Sequence, residues 1–315
     1  MEKTKKIWMN GKFVNWENAK IHTLSHGLHY GSGIFEGIRC YKTEKQSAVF
    51  RLSEHINRFF YSAKSLEMEI PFSKKEIKQA ILNLIKINKL EEGYIRPIAF
   101  FGYGKMGLNP KEAPIDIIIA MWPWKAYLKK ENKVIKNNVS QEIESSGIKV
   151  KISKYIRLHP QSSIVDAKIC GHYVNSILAS QEIKKADYDE ALFLDFKKNI
   201  AEGPGENIFL VKNKKLFTPQ KGSILPGITR DSVMKIAKNL GIEIKEEKIN
   251  IKKLKSADEL FFTGTAVEIC PIAQIDETLI NKGEVGEITK KIKKKYLSIV
   301  RGEEKKYLKW LTFVK

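Results

Sequence analysis

A lysine amine attacks a carbonyl only when desolvation or a neighbouring cation keeps it unprotonated. Lys168 is placed for that in Ser163-Ile164-Val165-Asp166-Ala167-Lys168-Ile169-Cys170-Gly171-His172-Tyr173. Small Ala167 lies behind it, Gly171 permits a close backbone approach, and Tyr173 stands just beyond, ahead of a helix. Glu202 lies in Ala201-Glu202-Gly203-Pro204-Gly205-Glu206-Asn207, a Gly-Pro-Gly turn leading into an apolar strand. Burying an acid there is costly unless it meets a cation. A protonated ring nitrogen is one such partner; the alternative is a carboxylate that caps its own turn.

Four further features suit an anion. In Ile224-Leu225-Pro226-Gly227-Ile228-Thr229-Arg230-Asp231 a glycine turn runs into a helix, whose first amides have no internal acceptor and make a ready phosphate site. Thr263-Gly264-Thr265-Ala266 follows a strand and offers hydroxyls and accessible backbone amides. Arg58 reads either as an anion clamp or as an ion pair with Glu54, one helical turn away. Tyr94 and Arg96 alternate onto one face of a strand, where they can receive a carboxylate beside an apolar pocket or serve cross-strand packing. A lysine for an aldehyde, a tyrosine for a phenolate oxygen, an acid for a ring nitrogen and a dianion cradle together point to pyridoxal 5′-phosphate.

The elements that must position these residues are legible in outline. Asn10-Gly11 within Ile7 to Val14 marks a tight hairpin. Leu52 to about Met68 reads as a helix with Ser53 as N-cap and Ile56, Phe59, Phe60, Ala63 and Leu66 as its apolar stripe. Ser73-Lys74-Lys75-Glu76 is a capping box opening a second helix that carries Ile77, Ile81, Leu84 and Ile85. Strands are expected near Tyr94 to Tyr103 and Ile115 to Trp122. After a polar stretch without periodicity, the second half alternates strands (Ala191 to Asp195, Asn207 to Lys212, Glu259 to Gly264, Ile269 to Ala273) with helices near His172 to Lys185, Thr229 to Leu240 and Ile288 to Val300. Gly241 and Gly302 fall where helices end in a left-handed residue.

At 315 residues the chain is large for one core, which implies two domains or one large α/β unit. The expected division is a small N-terminal α/β domain at 1–128, a linker at 129–145 and a large C-terminal domain at 146–315 carrying the lysine. No run is apolar and long enough to span a bilayer, and nothing near the start reads as a signal peptide, so a cytoplasmic protein without membrane contact is expected. Cys40, Cys170 and Cys270 are isolated, which argues against disulfides and a structural zinc site; no metal is expected. The net charge of +20 would suit nucleic acid, but it comes from 49 lysines scattered along a chain with only seven arginines. Compositional bias accounts for it, and no nucleic-acid partner is expected; a basic RNA-binding or scaffold protein is the alternative from another class. Arginines kept in so lysine-rich a chain mark places where a planar, permanently charged fork is required.

These motifs occur in the order of a known family. His29-Tyr30-Gly31 with Phe35-Glu36-Gly37-Ile38-Arg39, Tyr94-Ile95-Arg96-Pro97, Ala167-Lys168 with Gly171 and Tyr173, Glu202-Gly203 with Glu206-Asn207, Leu225 to Arg230 and Gly264-Thr265-Ala266 resemble the branched-chain amino acid aminotransferases of the fold-type IV (class IV) pyridoxal-phosphate enzymes, almost end to end. The resemblance implies an α+β / α/β, D-amino acid aminotransferase-like fold of two domains joined by a short interdomain loop. It also implies reversible transfer of the amino group of L-leucine, L-isoleucine or L-valine to 2-oxoglutarate, with glutamate as the other amino acid, by ping-pong chemistry. D-amino acid aminotransferases and aminodeoxychorismate lyases share the lysine and phosphate motifs and are the alternatives within the fold. By this resemblance Lys168 bonds the cofactor aldehyde and shuttles protons, Tyr173 meets the phenolate oxygen and Glu202 the ring nitrogen. Arg58, Ile228, Thr229 and Thr265 hold the phosphate, and Leu225 and Gly227 complete the cofactor-binding set. Thr265 and Ala266 amides take the substrate α-carboxylate, and Tyr30, Phe35, Gly37, Tyr94, Trp124 and Tyr127 surround the substrate side chain. Arg96 receives the distal carboxylate of glutamate. The same resemblance implies a homodimer or a hexamer built as a trimer of dimers, with Tyr30 reaching a neighbouring copy.

Overall fold

The computed structural model describes residues 2–124 and 147–314. Tyr127 and the expected linker 129–145 lie outside the described residues. By mutual contact the chain forms two compact units: the described residues of Met1–Lys125, Leu158–Val174 and Lys295–Lys315 in the first, and those of Ala126–Arg157 and Asn175–Lys294 in the second. The lysine segment therefore goes with the N-terminal residues, whereas a division at 129–145 assigns it to the C-terminal domain. The reason is local bonding: Lys168 N donates to Ser62 Oγ at 2.9 Å, Phe35 N donates to Lys168 O at 3.1 Å, and Ile169 bridges Ile34.

The first unit is built on an antiparallel sheet of eight strands. Their order is Leu311–Phe313, Ser47–Phe50, Ile38–Lys42, Gly93–Phe101, Ile115–Trp122, Lys6–Met9 and Lys12–Asn15, with Gly33–Phe35 also paired to Gly93–Phe101. The hairpin at its edge turns at Asn10 and Gly11, both with positive φ, and pairs Ile7 with Val14. Two helices, Leu52–Ser65 and Lys74–Asn88, contribute Ile56, Phe59, Ala63, Ile77, Ile81, Leu84 and Ile85 to a core shared with Ile34, Ile95, Ile117 and Ile119. The capping box forms as expected, with Glu76 N donating to Ser73 Oγ and Ser73 N to Glu76 Oε2.

The start of the first helix differs from expectation. Arg51, not Ser53, is the cap, in a left-handed conformation without a side-chain cap. Arg51 N donates to Trp310 O at 2.7 Å, its guanidinium lies 4.8 Å from the Trp310 ring, and its Nε bonds Glu54. Glu54 thus pairs with Arg51. The strand expected to reach Tyr103 ends at Phe101; Tyr103 makes only an isolated bridge to Ser25.

The second unit carries a mixed sheet of eight strands in the order Ile244–Glu247, Lys215–Pro219, Asn207–Lys212, Glu259–Gly264, Glu268–Ile275, Ile148–Ile156 and Glu190–Leu194, with Thr278–Leu279 beside Glu268–Ile275. The inner strands are apolar on both faces: Phe209 and Phe261 stack at 5.2 Å, and Leu192, Ile208, Leu210, Leu260 and Phe262 are buried. The helices in and leading out of this half are Tyr173–Lys184, Ile228–Asn239, Ile251–Lys255 and Glu287–Val300. Gly241 and Gly302 take positive φ at helix ends. No described helix is long and apolar enough to cross a membrane. Burial pushes the thiols of Cys40 and Cys270 up to about 12 and that of Cys170 up to about 11, which removes all three as thiolate nucleophiles near neutral pH.

Candidate active site

In the first unit the chemistry converges on Lys168. Its Nζ donates to Tyr173 Oη at 2.5 Å and lies 4.8 Å from the centre of the Phe35 ring, which itself sits 4.7 Å from the Tyr173 ring. Burial, then the charge of Arg58, bring the Lys168 amine down to about 8, against the opposing charge of Glu36. Gly171 makes the expected close approach: its N donates to Gly31 O at 3.1 Å, and a Cβ on Gly31 would stand 2.9 Å from Gly171 Cα.

Helix Leu52–Ser65 aims His55, Arg58 and Ser62 at this place from one face, three and four residues apart. Arg58 grips Glu36 with both prongs, Nε to Oε1 at 2.6 Å and Nη2 to Oε2 at 2.9 Å, and His55 Nδ1 lies 2.7 Å from Glu36 Oε2. The reading of Arg58 as a partner of Glu54 is thereby corrected to Glu36, which is fully buried. Burial alone would push Glu36 up, but the charge of Arg58 and the hydrogen bonds from His55 and Arg58 hold its carboxyl well below the usual carboxylate range. Burial pushes His55 down, against the pull of Glu36. The sequence reading gave no role to Glu36 or His55. The signal was present, since an acid between Phe35 and Gly37 inside an apolar run has to meet a cation.

Tyr94 and Arg96 do share a face of strand Gly93–Phe101. The Arg96 guanidinium lies 4.6 Å from the Phe35 ring and 5.3 Å from the Tyr94 ring, and its Nη2 is 3.4 Å from Tyr94 Oη. Its Nε is buried without a hydrogen-bond partner among the described residues, so this arginine holds unspent donor capacity suited to an anion. Trp124 lies 5.2 Å from Tyr94, ring to ring. Gly37 makes room for this group, because a Cβ there would stand 1.9 Å from Tyr94 Oη. Tyr30 is not among these contacts: it is exposed, with its ring 4.5 Å from His26.

In the second unit the centre is Glu202, which is buried. Arg157 Nε donates to Oε1 at 2.7 Å, while Asn207 Nδ2 and Leu225 N each donate to Oε2 at 3.0 Å. Glu202 is therefore held by donors that come from outside its own Gly-Pro-Gly turn, which sets aside the turn-capping alternative. Asn207 Nδ2 also donates to Leu225 O at 2.9 Å, and a Cβ on Gly227 would stand 2.0 Å from Asn207 Oδ1. Asn207 thus fixes Glu202, Leu225 and Gly227 relative to one another. Gly227 caps helix Ile228–Asn239 without a side-chain bond, so the first amides, those of Ile228 and Thr229, have no acceptor within the helix. Arg230 turns away from that end to Pro219 O and Glu246. Thr265 and Ala266 are half-buried in the turn joining strands Glu259–Gly264 and Glu268–Ile275. Among the described residues no cluster of His, Cys, Asp and Glu could hold a metal ion. Arg157 and Asn207 were missed as site residues; the scarcity of arginine was the available sign for the first.

Comparison with known proteins bears on the chain as a whole. The family model described as amino-transferase class IV matches residues 33–275. The branched-chain-amino-acid aminotransferase of Pseudomonas aeruginosa is 40% identical over 309 residues, covering 98% of this chain and 97% of that one. Among solved structures, the branched-chain aminotransferase of the archaeon Thermoproteus uzoniensis with norvaline matches at a TM-score of 0.91, with 38% identity over 99% of this chain and 100% of that one. The branched-chain amino acid aminotransferase of Thermobaculum terrenum in PLP-form matches at 0.90, with 32% identity over 100% of both chains.

Proposed function

The chain belongs to the class IV amino-transferase family, and from that premise we propose a branched-chain amino acid aminotransferase that moves the amino group of L-leucine, L-isoleucine or L-valine to 2-oxoglutarate through pyridoxal phosphate. The fold is the fold-type IV fold of that family. The observation that carries the reading is the Lys168 amine, brought to about 8 and held at 2.5 Å by a tyrosine hydroxyl against an aromatic wall.

The residues fit the cofactor by the chemistry of their donors. Lys168 offers an amine to the aldehyde, Tyr173 a hydroxyl to the phenolate oxygen and Glu202 a carboxylate to the ring nitrogen. Arg58, the Ile228 and Thr229 amides and Thr265 offer donors to the phosphate, with Leu225 and Gly227 framing the ring. When bound, pyridoxal phosphate supplies an electron sink for the carbanion at the amino acid α-carbon and carries the amino group between the two half-reactions. Lys168 Nζ, largely neutral above about pH 8, takes the α-proton and returns it; the Tyr173 hydroxyl keeps that amine aimed. Thr265 and Ala266 amides hold the substrate α-carboxylate. Phe35, Tyr94 and Trp124 exclude water around an aliphatic side chain, and Arg96 takes the distal carboxylate of glutamate. One pocket can serve both because Arg96 lies against the Phe35 and Tyr94 rings.

A homo-oligomer in the cytoplasm belongs to the same proposal. Leu28, Tyr30, Tyr103 and Leu108 are exposed, and His26 Nε2, 2.6 Å from Gly107 O, ties the loop bearing Leu108 to the helix bearing Leu28 and Tyr30. Such a patch suits a second copy, and a monomer in sedimentation would remove this part. The deciding experiment is the near-ultraviolet and visible spectrum of the reconstituted protein before and after L-leucine without an oxo acid. Conversion to the pyridoxamine form, absent in Lys168→Ala, is expected. Conversion by D-alanine alone would replace the substrate class, and absence of any cofactor band would remove the reading.

A further inference from the structure

The pair Arg157–Glu202 has more structure than a carboxylate awaiting a ring nitrogen requires. Both side chains are buried, with 7% and 5% of their surface exposed. Arg157 directly follows strand Ile148–Ile156; its N donates to Leu194 O at 2.8 Å, and its guanidinium lies 6.0 Å from the Phe193 ring. Phe193 N in turn donates to Glu202 O at 2.9 Å, so one strand fixes the main chain of both partners. Arg157 Nη1 is buried without a hydrogen-bond partner among the described residues. An unsatisfied buried donor is unfavourable, so the guanidinium is kept for its charge rather than for a full set of bonds. Lysine outnumbers arginine sevenfold here, yet this position holds the side chain that cannot lose its proton.

We propose that Arg157 is a positioning residue that keeps the negative charge on Glu202, so that the proton shared between Glu202 and a cofactor ring nitrogen resides on the nitrogen. This rests on the pyridoxal-phosphate reading above. A proton between a carboxylate and a pyridine nitrogen sits on whichever is the stronger base. Arg157 is in direct contact with the carboxylate, and a charge acts most strongly on the group nearest to it, so it would favour the carboxylate anion more than it would oppose a protonated ring held through that carboxylate. Two neutral donors reach the other carboxylate oxygen: Asn207 Nδ2 from strand Asn207–Lys212 and Leu225 N ahead of helix Ile228–Asn239. Glu206, the second acid of the turn, accepts from Gly205 N.

The test is nitrogen-15 magnetic resonance of pyridoxal phosphate labelled at the ring nitrogen and bound to wild type, Arg157→Met and Arg157→Lys, followed through pH. In wild type the shift is expected at the protonated-pyridine position throughout the stable range. In Arg157→Met it is expected at the neutral position near pH 7, and in Arg157→Lys to move at a pH between the two. A purely structural role would lower the unfolding midpoint of the variants and leave the nitrogen shift in place, which overturns the proposal. If Arg157→Met does not fold, the lysine variant decides, because an unchanged titration there overturns it equally. A wild type that binds the cofactor with a neutral nitrogen removes this inference alone; a wild type that binds none removes the functional reading with it.

Discussion

Glu36 with Arg58 and Glu202 with Arg157 are the same chemical pair, one in each unit, but they are sealed to different degrees. In the first unit the carboxylate is fully enclosed and the arginine is the outer member, with 11% of its side chain exposed and its charge felt by Lys168. In the second unit the two partners are almost equally buried, and the carboxylate gathers neutral donors from Asn207 and Leu225 as well. The enclosed Glu36 fixes Arg58 from within, whereas in the other unit Arg157 fixes Glu202. A buried ion pair is a weak device for stability, because desolvation consumes most of the attraction. Its value here is to present one member of fixed charge and direction.

Removing the enclosed holder gives the largest effect. Glu36→Gln leaves Arg58 buried without its counterion and puts one acceptor oxygen where Arg58 and His55 had two, so a loss of about 3–5 kcal/mol is expected, read as a lower urea midpoint at unchanged slope. Inorganic phosphate should restore part of that loss, since an anion can reach the outer arginine and stabilise the folded state that binds it. Glu202→Gln should lose stability too, but phosphate should stabilise it no more than it stabilises wild type, because Arg157 is enclosed; the response that exceeds wild type belongs to Glu36→Gln alone. An equal response of the two variants would erase the distinction between the pairs.

A pH experiment sharpens the cation side. Lys168 is brought to about 8 from an ordinary 10.5, chiefly by burial and then by Arg58. Its amine in the cofactor-free protein should therefore react with an acylating reagent about tenfold faster per pH unit up to about 8 and then level off, while surface lysines keep gaining toward about 10.5. Peptide mass spectrometry separates the two. The unfolded chain keeps this proton to higher pH than the folded one, so the cofactor-free protein gains stability from this group between about 8 and about 10.5 and bears the cost of the buried charge below that window. Glu36→Gln removes the charge that raises Lys168, so its plateau should begin at lower pH. A plateau near the ordinary lysine value in wild type would detach Lys168 from its environment and end the argument for its activation.

Lys168 and Glu202 are singled out by the sequence and the partners that hold them only weakly so, for a physical reason. Lys168, Glu202 and the Ile228–Thr229 turn sit in local contexts of small residues, glycine and caps that carry a meaning at short range. Glu36 pairs with Arg58 across 22 positions and Glu202 with Arg157 across 45, and no periodicity encodes such contacts. The helix start was misread for the same reason: Ser53 has the local chemistry of a cap, but Arg51 is fixed from Trp310, far along the chain. Strands Asn207–Lys212 and Glu259–Gly264 were found to the residue because they are continuous apolar runs. Strand Ile148–Ile156 is absent from the expected elements although its apolar residues alternate with lysines, the period-2 pattern of a half-buried strand.

The smallest expected effect concerns how the two centres are tethered. Glu202 is held through a main-chain ladder, with its O accepting from Phe193 N and its backbone bridged to Asn207. Lys168 depends on a side chain, because its N donates to the hydroxyl of fully buried Ser62. Ser62→Ala leaves that donor without its acceptor and should cost about 1–3 kcal/mol in urea unfolding. Helix propensity should contribute little, alanine being the better helix former. Because Ser62 touches the main chain and not the amine, the pH at which Lys168 acylation levels off should stay near 8 in this variant. A plateau that moves would mean that the hydroxyl sets the depth of the amine as well as the path of the chain, and the first centre would then be as dependent on its tether for chemistry as the second is on Arg157.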